Sequence, residues 1–160
     1  APSKTFNLAG LVGAYQIIYQ PWIRDRLLKE SSLSHYNNMN LLSMYALIGA
    51  YSPDGYEWCD ELCETVGQNI DYACGFIAQH FPDLDVMKPE GTYMLFVDCA
   101  SYCKKSGKTI DDILDASWKV GVAIQDGRPF HGASHFRMNL ALPLSRVREA
   151  FDRLKQYVFV

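Results

Sequence analysis

The sequence has little of several things that would narrow its function quickly. It has no basic excess: 15 Lys+Arg stand against 18 Asp+Glu in 160 residues, a formal charge of −3. No basic arm is present either, so the electrostatic footprint of a nucleic-acid binder is missing. No apolar run is clean enough for a membrane span. The stretch 5–23 carries Asn7, Gln16, Gln20, Pro21 and two glycines, and the stretch 31–53 opens on Ser31, Ser32, Ser34, His35, Asn37, Asn38 and Asn40. The cysteines are Cys59, Cys63, Cys74, Cys99 and Cys103. An odd count without a secretory leader fits no disulfide framework. The pairs 59/63 and 99/103 lack the tight spacing and histidine partners of a zinc site, so no metal is expected. They read as small buried hydrophobes in a reducing cytoplasm. Repeats and low-complexity tracts are absent. So is an initiator Met: the chain opens Ala1-Pro-Ser-Lys, as if partway through a longer sequence.

What is present is core material. Apolar residues make up 49% and aromatics 13%, which excludes disorder and suits a domain with a real core. Trp58, Leu62, Val66, Ile70, Ala73 and Ile77 recur at spacings of three and four. That predicts one long amphipathic helix from about Gly55 to His80. Before it, Gly13–Tyr19 is rich in β-formers and reads as a buried strand. Pro21 opens a short helix through Lys29. Ser31–Asn38 reads as a polar loop, and Asn40–Tyr51 as a buried helix.

After Pro82 the character changes. Thr92–Val97 reads as a strand. Thr109 and Asp112 make a capping box for a helix reaching about Trp118. Val120–Ile124 reads as a short strand. Phe136, Met138 and Leu140 alternate with Arg137 and Asn139, the pattern of a half-buried strand with Arg137 and Asn139 on one face. A final helix follows Pro143, with Val147, Phe151, Leu154 and Val158 toward the core. The whole reads as α/β: a helical first half with one strand, then a small α+β unit.

Two places suggest chemistry. Lys4, beside Ser3 and ahead of an apolar glycine-containing stretch, suits an amine that attacks a carbonyl and holds a Schiff base. The bland alternative is a solvated surface lysine. Arg137 on an otherwise apolar strand needs a partner, because an unpaired buried charge is costly. Its planar fork suits a substrate carboxylate, while an internal Asp or Glu partner is the plainer reading of the pattern alone. His131 within the polar loop Gln125–Gly132 and His135 just after it are acid–base candidates, or merely satisfied histidines.

Three stretches together resemble one family. Ser3-Lys-Thr-Phe-Asn-Leu-Ala-Gly10 is similar to the lysine motif of fold-type I pyridoxal phosphate enzymes, the aspartate aminotransferase superfamily. Phe136-Arg-Met-Asn-Leu-Ala141 resembles their carboxylate-binding arginine strand. Pro89-Glu-Gly-Thr-Tyr-Met94 resembles a turn of their small domain. Within the superfamily the likeness is greatest to the MalY/PatB-type cystathionine β-lyases, or C–S lyases. Val12 stands where aminotransferases commonly carry a phosphate-binding arginine, and Ala1 where a serine is frequent. Both departures leave Ser3 as the local candidate for the phosphate.

The resemblance implies pyridoxal 5'-phosphate as cofactor, Lys4 as its covalent anchor and the base at Cα, and Arg137 as the grip on the substrate carboxylate. It implies a small sulfur amino acid as substrate and a homodimer, with Tyr36 and Asn37 reaching the neighbouring subunit's site. It implies the C-terminal part of the aminotransferase-like fold: residues 1–81 closing the large cofactor domain, and 82–160 forming the small α+β domain. On this reading the chain is a fragment lacking the carboxylate and aromatic that hold the cofactor ring, and is inactive alone. An aminotransferase, or a small domain acting only in structure or association, are the alternatives.

Overall fold

The computed structural model describes residues 2–34 and 39–160. It falls into two compact units, Ala1–Leu62 and Cys63–Val160.

The first unit is helical. Helix α1 spans Pro2–Thr5, a 3-10 turn covers Ala9–Leu11, α2 spans Pro21–Ser34 and α3 spans Leu41–Ala50. Asn40 caps α3 by accepting from the Ser43 N–H at 2.9 Å. The segment 13–19 is not a strand. It has no regular structure, and Tyr19 is 89% exposed. Its β-branched and aromatic residues carry the propensity, but a strand forms only against a neighbouring strand, and this unit contains none among the described residues. The serines from Ser31 to Ser34 belong to α2 rather than to a loop. Their hydroxyls turn back onto the helix, Ser32 donating to the Lys29 carbonyl at 2.7 Å, so they need no loop to be satisfied. Helix α3 forms where expected but is not buried in this chain, since Leu42 is 73% exposed.

Helix α4 spans Pro53–His80, in agreement with the periodicity. It runs through the division between the units. Its buried side chains, Val66, Asn69, Ile70, Ala73 and Ile77, all lie in the second unit.

The second unit holds a four-stranded antiparallel sheet in the order β1-β2-β4-β3. The strands are β1 Asp85–Val86, β2 Met94–Asp98, β3 Gln125–Asp126 and β4 His135–Asn139. Helices α5 Ala100–Ser106, α6 Ile110–Lys119 and α7 Leu144–Tyr157 complete it. Leu95, Val97, Phe136, Met138 and Leu140 line the buried face of the sheet, with Ile113, Val147, Phe151 and Leu154 also in the core. The strand expected at Val120–Ile124 is displaced to Gln125–Asp126. Val122 and Ile124 are still buried, but as irregular chain leading into the strand.

The capping box forms as the sequence implies. The Thr109 hydroxyl accepts the Asp112 N–H, and Asp112 accepts the Thr109 N–H at 2.8 Å. The Thr109 N–H and hydroxyl hold Asp112 below the usual carboxylate range. Arg146 and Arg153 do the same for Glu149 on α7, and the Arg128 N–H and guanidinium for Asp126. A carboxyl lowered by folding contributes stability above its unfolded value and loses it as pH falls through the folded one. Acid titration should therefore destabilise the second unit progressively below about pH 4. Thr109→Ala should cost about 1 kcal/mol at neutral pH and make the acid-side loss shallower, since Asp112 then gains less from folding. Chemical denaturation at neutral and acidic pH checks both.

No helix among the described residues is long and apolar enough to cross a membrane.

Candidate functional site

Lys4 stands in the last turn of α1, exposed, between two buried anchors, Pro2 and Phe6. The Phe6 N–H donates to the Pro2 carbonyl at 2.9 Å, closing the turn around Lys4. The Phe6 ring packs edge-on against Tyr51 at 5.0 Å and Tyr56 at 6.4 Å. Tyr51 is in turn hydrogen-bonded to Tyr15, hydroxyl to hydroxyl at 3.0 Å, and that bond raises its phenol pKa. Downstream, Ser43 is buried and donates to the Leu11 carbonyl. Lys4 is thus presented on a one-turn helix whose Pro2 and Phe6 flanks are buried. Ser3, next to it, is half-buried.

Val12 is a departure in backbone as well as in side chain. It is 83% exposed with φ of +46°. A β-branched residue rarely adopts that left-handed conformation, which costs roughly 1–2 kcal/mol.

Arg137 lies in the second unit, on β4, half-buried on the face opposite Phe136 and Met138. Among the described residues it forms no ion pair with an acidic side chain. The internal Asp or Glu partner is therefore not found. Its Nη2 donates to Gln125 Oε1 at 2.8 Å, and its guanidinium carbon lies 3.8 Å from the Phe130 ring centroid. Its Nε is buried and has no hydrogen-bond partner among the described residues. A buried donor left without an acceptor is uncommon in proteins and is costly unless a ligand supplies one.

Asn139 shares that face but turns to its own chain, its Oδ1 accepting from the Ala141 N–H at 2.8 Å. The two histidines do not converge on a site. His131 is exposed with φ of +64°, while His135 stacks on Phe96 at 4.5 Å with its Nδ1 3.8 Å from Asp98. Tyr36 and Asn37 lie outside the described residues. Burial pushes the Cys99 thiol pKa up, and those of Cys74 and Cys103 in the same direction, as for structural rather than reactive thiols.

These features acquire a context from comparison with known proteins. Residues 2–154 match the class I and II aminotransferases.

The chain belongs to the class I and II aminotransferase family.

It is 28% identical over 158 residues to the cystathionine beta-lyase PatB of Bacillus subtilis, covering 97% of this chain and 40% of that protein. A PLP-bound protein from Clostridium difficile 630 superposes with a TM-score of 0.87 at 32% identity, covering 97% of this chain and 40% of that one. Cystalysin from Treponema denticola, whose crystal structure contains a pyridoxal 5'-phosphate cofactor, gives 0.85 at 27% identity, over 98% and 39%. The chain has the fold of the corresponding part of these proteins and spans about 40% of their length.

Sequence reasoning missed the surroundings of both residues. Gln125 and Phe130 contact Arg137 through strand pairing and loop geometry, and Tyr51 at the end of α3 and Tyr56 in α4 pack against Phe6. The only local signal was the pair of aromatics, Tyr51 and Tyr56, on either side of the start of α4.

Proposed function

We propose that this chain carries the cofactor lysine and the carboxylate-binding arginine of a pyridoxal phosphate-dependent C–S β-lyase of the cystathionine β-lyase type. The substrate class is an L-cysteine conjugate, and the products are pyruvate, ammonia and a thiol. The observation that carries the proposal is Arg137, a flat cation with a buried unpartnered Nε and no acidic partner among the described residues. It sits on a chain whose match to the family runs from residue 2 to residue 154.

The residues present fit the cofactor. Lys4 offers an exposed primary amine for the aldehyde, and the neighbouring Ser3 offers a hydroxyl for the phosphate. Pyridoxal phosphate, when bound, supplies an electron sink for the pair left at the substrate Cα. Lys4 would hold it through its Nζ, and that amine would take up the proton from the substrate Cα. Arg137 takes the substrate carboxylate in plane and so fixes which bond at Cα is presented for cleavage. We extend the proposal to a homodimer in the cytoplasm, with residues 1–81 as the end of the cofactor domain and 82–160 as the small domain.

The family also contains aminotransferases, and Lys4 serves both chemistries. The discriminating experiment gives cystathionine to a full-length protein carrying this chain. Pyruvate release without a keto acid acceptor is expected. Amino transfer to a keto acid with no pyruvate would overturn the lyase reading in favour of an aminotransferase. The 160-residue chain alone is expected to release no pyruvate above background.

A further inference from the structure

We infer that Phe130 and Gln125 are positioning residues for Arg137, holding its guanidinium flat and in one place so that its free edge meets a carboxylate. The inference rests on the carboxylate role proposed above for Arg137.

Strand pairing sets the lateral limits. Arg137 is registered opposite Phe96 on β2 and opposite Gln125 on β3, so both neighbours rise from the same face of the sheet. Gln125 is a neutral acceptor. Its Oε1 engages one N–H of the fork at 2.8 Å without cancelling the charge. A carboxylate in its place would neutralise the cation and compete with the ligand.

Phe130 sets the floor. With the guanidinium carbon 3.8 Å from its centroid, the ring attracts the cation and fixes the plane of the fork. The loop that presents Phe130 is pressed against the sheet. A side chain on Gly132 would place Cβ 2.4 Å from Phe96 Cζ, and one on Gly127 would place it 2.5 Å from the His135 carbonyl oxygen. The Phe130 and Gly132 N–H groups both donate to the Gly127 carbonyl, at 2.9 and 3.1 Å. Such close approach admits only glycine, which ties the ring to the sheet that carries Arg137. The result is a fork with one N–H occupied, one face covered, and an Nε–H that finds no acceptor among the described residues.

The experiment follows the Arg137 Nε–H resonance of the 15N-labelled chain, assigned with R137K. Sodium acetate is the probe, with sodium chloride at equal ionic strength as control. In the wild-type chain the resonance should move saturably with acetate and not with chloride. Phe130→Leu should weaken the response about fivefold and Phe130→Tyr should preserve it, as expected for a cation held on a ring. Gln125→Ala should weaken it, and Gln125→Glu should abolish it while leaving the thermal melt unchanged. A purely structural role for Gln125 would not be silenced by glutamate. A wild-type resonance indifferent to acetate would overturn the carboxylate role and this inference with it. A wild-type response matched by both F130L and Q125E would overturn the positioning role alone.

Discussion

Replacing Lys4 with alanine should abolish specific attachment of pyridoxal phosphate. The wild-type chain, mixed with the cofactor and reduced with borohydride, should carry the label on the peptide containing Lys4. The K4A chain should carry none there and show only scattered labelling of other lysines. The effect is all-or-none because a secondary amine bond requires a primary amine at that atom. Lys4→Arg separates charge from nucleophilicity. The guanidinium stays protonated near neutral pH and so cannot attack the aldehyde, and K4R should behave like K4A. The outward presentation of Lys4 between buried Pro2 and Phe6 makes it reachable. Equal labelling of Lys4 and the other lysines in the wild-type chain would mean that it is an ordinary surface lysine.

The second large effect concerns stability. Phe151 on α7 is 2% exposed and packs against Phe76 at 5.3 Å and Tyr72 at 6.1 Å on α4. Phe151→Ala deletes most of a buried ring and leaves a cavity among aromatics that cannot collapse into it. The expected cost is about 3–5 kcal/mol, the range for buried aromatic truncations. Against a typical total of about 5–15 kcal/mol, that is enough to unfold a marginal unit. Phe151→Leu keeps more of the volume and should cost less, about 1–2 kcal/mol. Urea unfolding followed by circular dichroism reads both. Equal midpoints for F151A and the wild type would show that α7 is not anchored through this ring.

The elements that sequence reading captured are those whose cause is local. The apolar repeat from Trp58 to Ile77 is satisfied within one helix, and α4 follows it. The capping box at Thr109 and Asp112 is a four-residue device that needs nothing else. The alternation around Arg137 is inherent in strand geometry and correctly placed the arginine opposite Phe136 and Met138. Elements whose cause lies elsewhere in the chain were not readable. The stretch 13–19 has strand propensity but no strand beside it among the described residues. Helix α3 has core composition, yet in this chain Leu42 is exposed. The candidate site divides in the same way. Lys4 and Arg137 were singled out by their resemblance to the family's motifs, since residue type and pattern alone left each open to a plain structural role. Gln125 and Phe130 were not, because the first reaches Arg137 through a β3–β4 register and the second through a loop seated by two glycines. Asn69, a polar residue inside the apolar stripe of α4, carried no sequence signal at all.

Asn69 is 1% exposed, and its Nδ2 donates to the carbonyls of Leu140 and Leu142, both at 2.8 Å. These carbonyls lie just past the end of β4. A strand whose side chains alternate with period two is exposed to one particular folding error, a slip by one residue. Such a slip would bury Arg137 among Leu95, Val97 and Phe151 and turn Phe136 outward. The hydrophobic pattern opposes this in bulk, but the two carbonyl tethers oppose it at a single address. Asn69 thus proofreads the strand's alignment from a helix far away in sequence, and the side of the sheet on which Arg137 stands depends on an amide that never touches it.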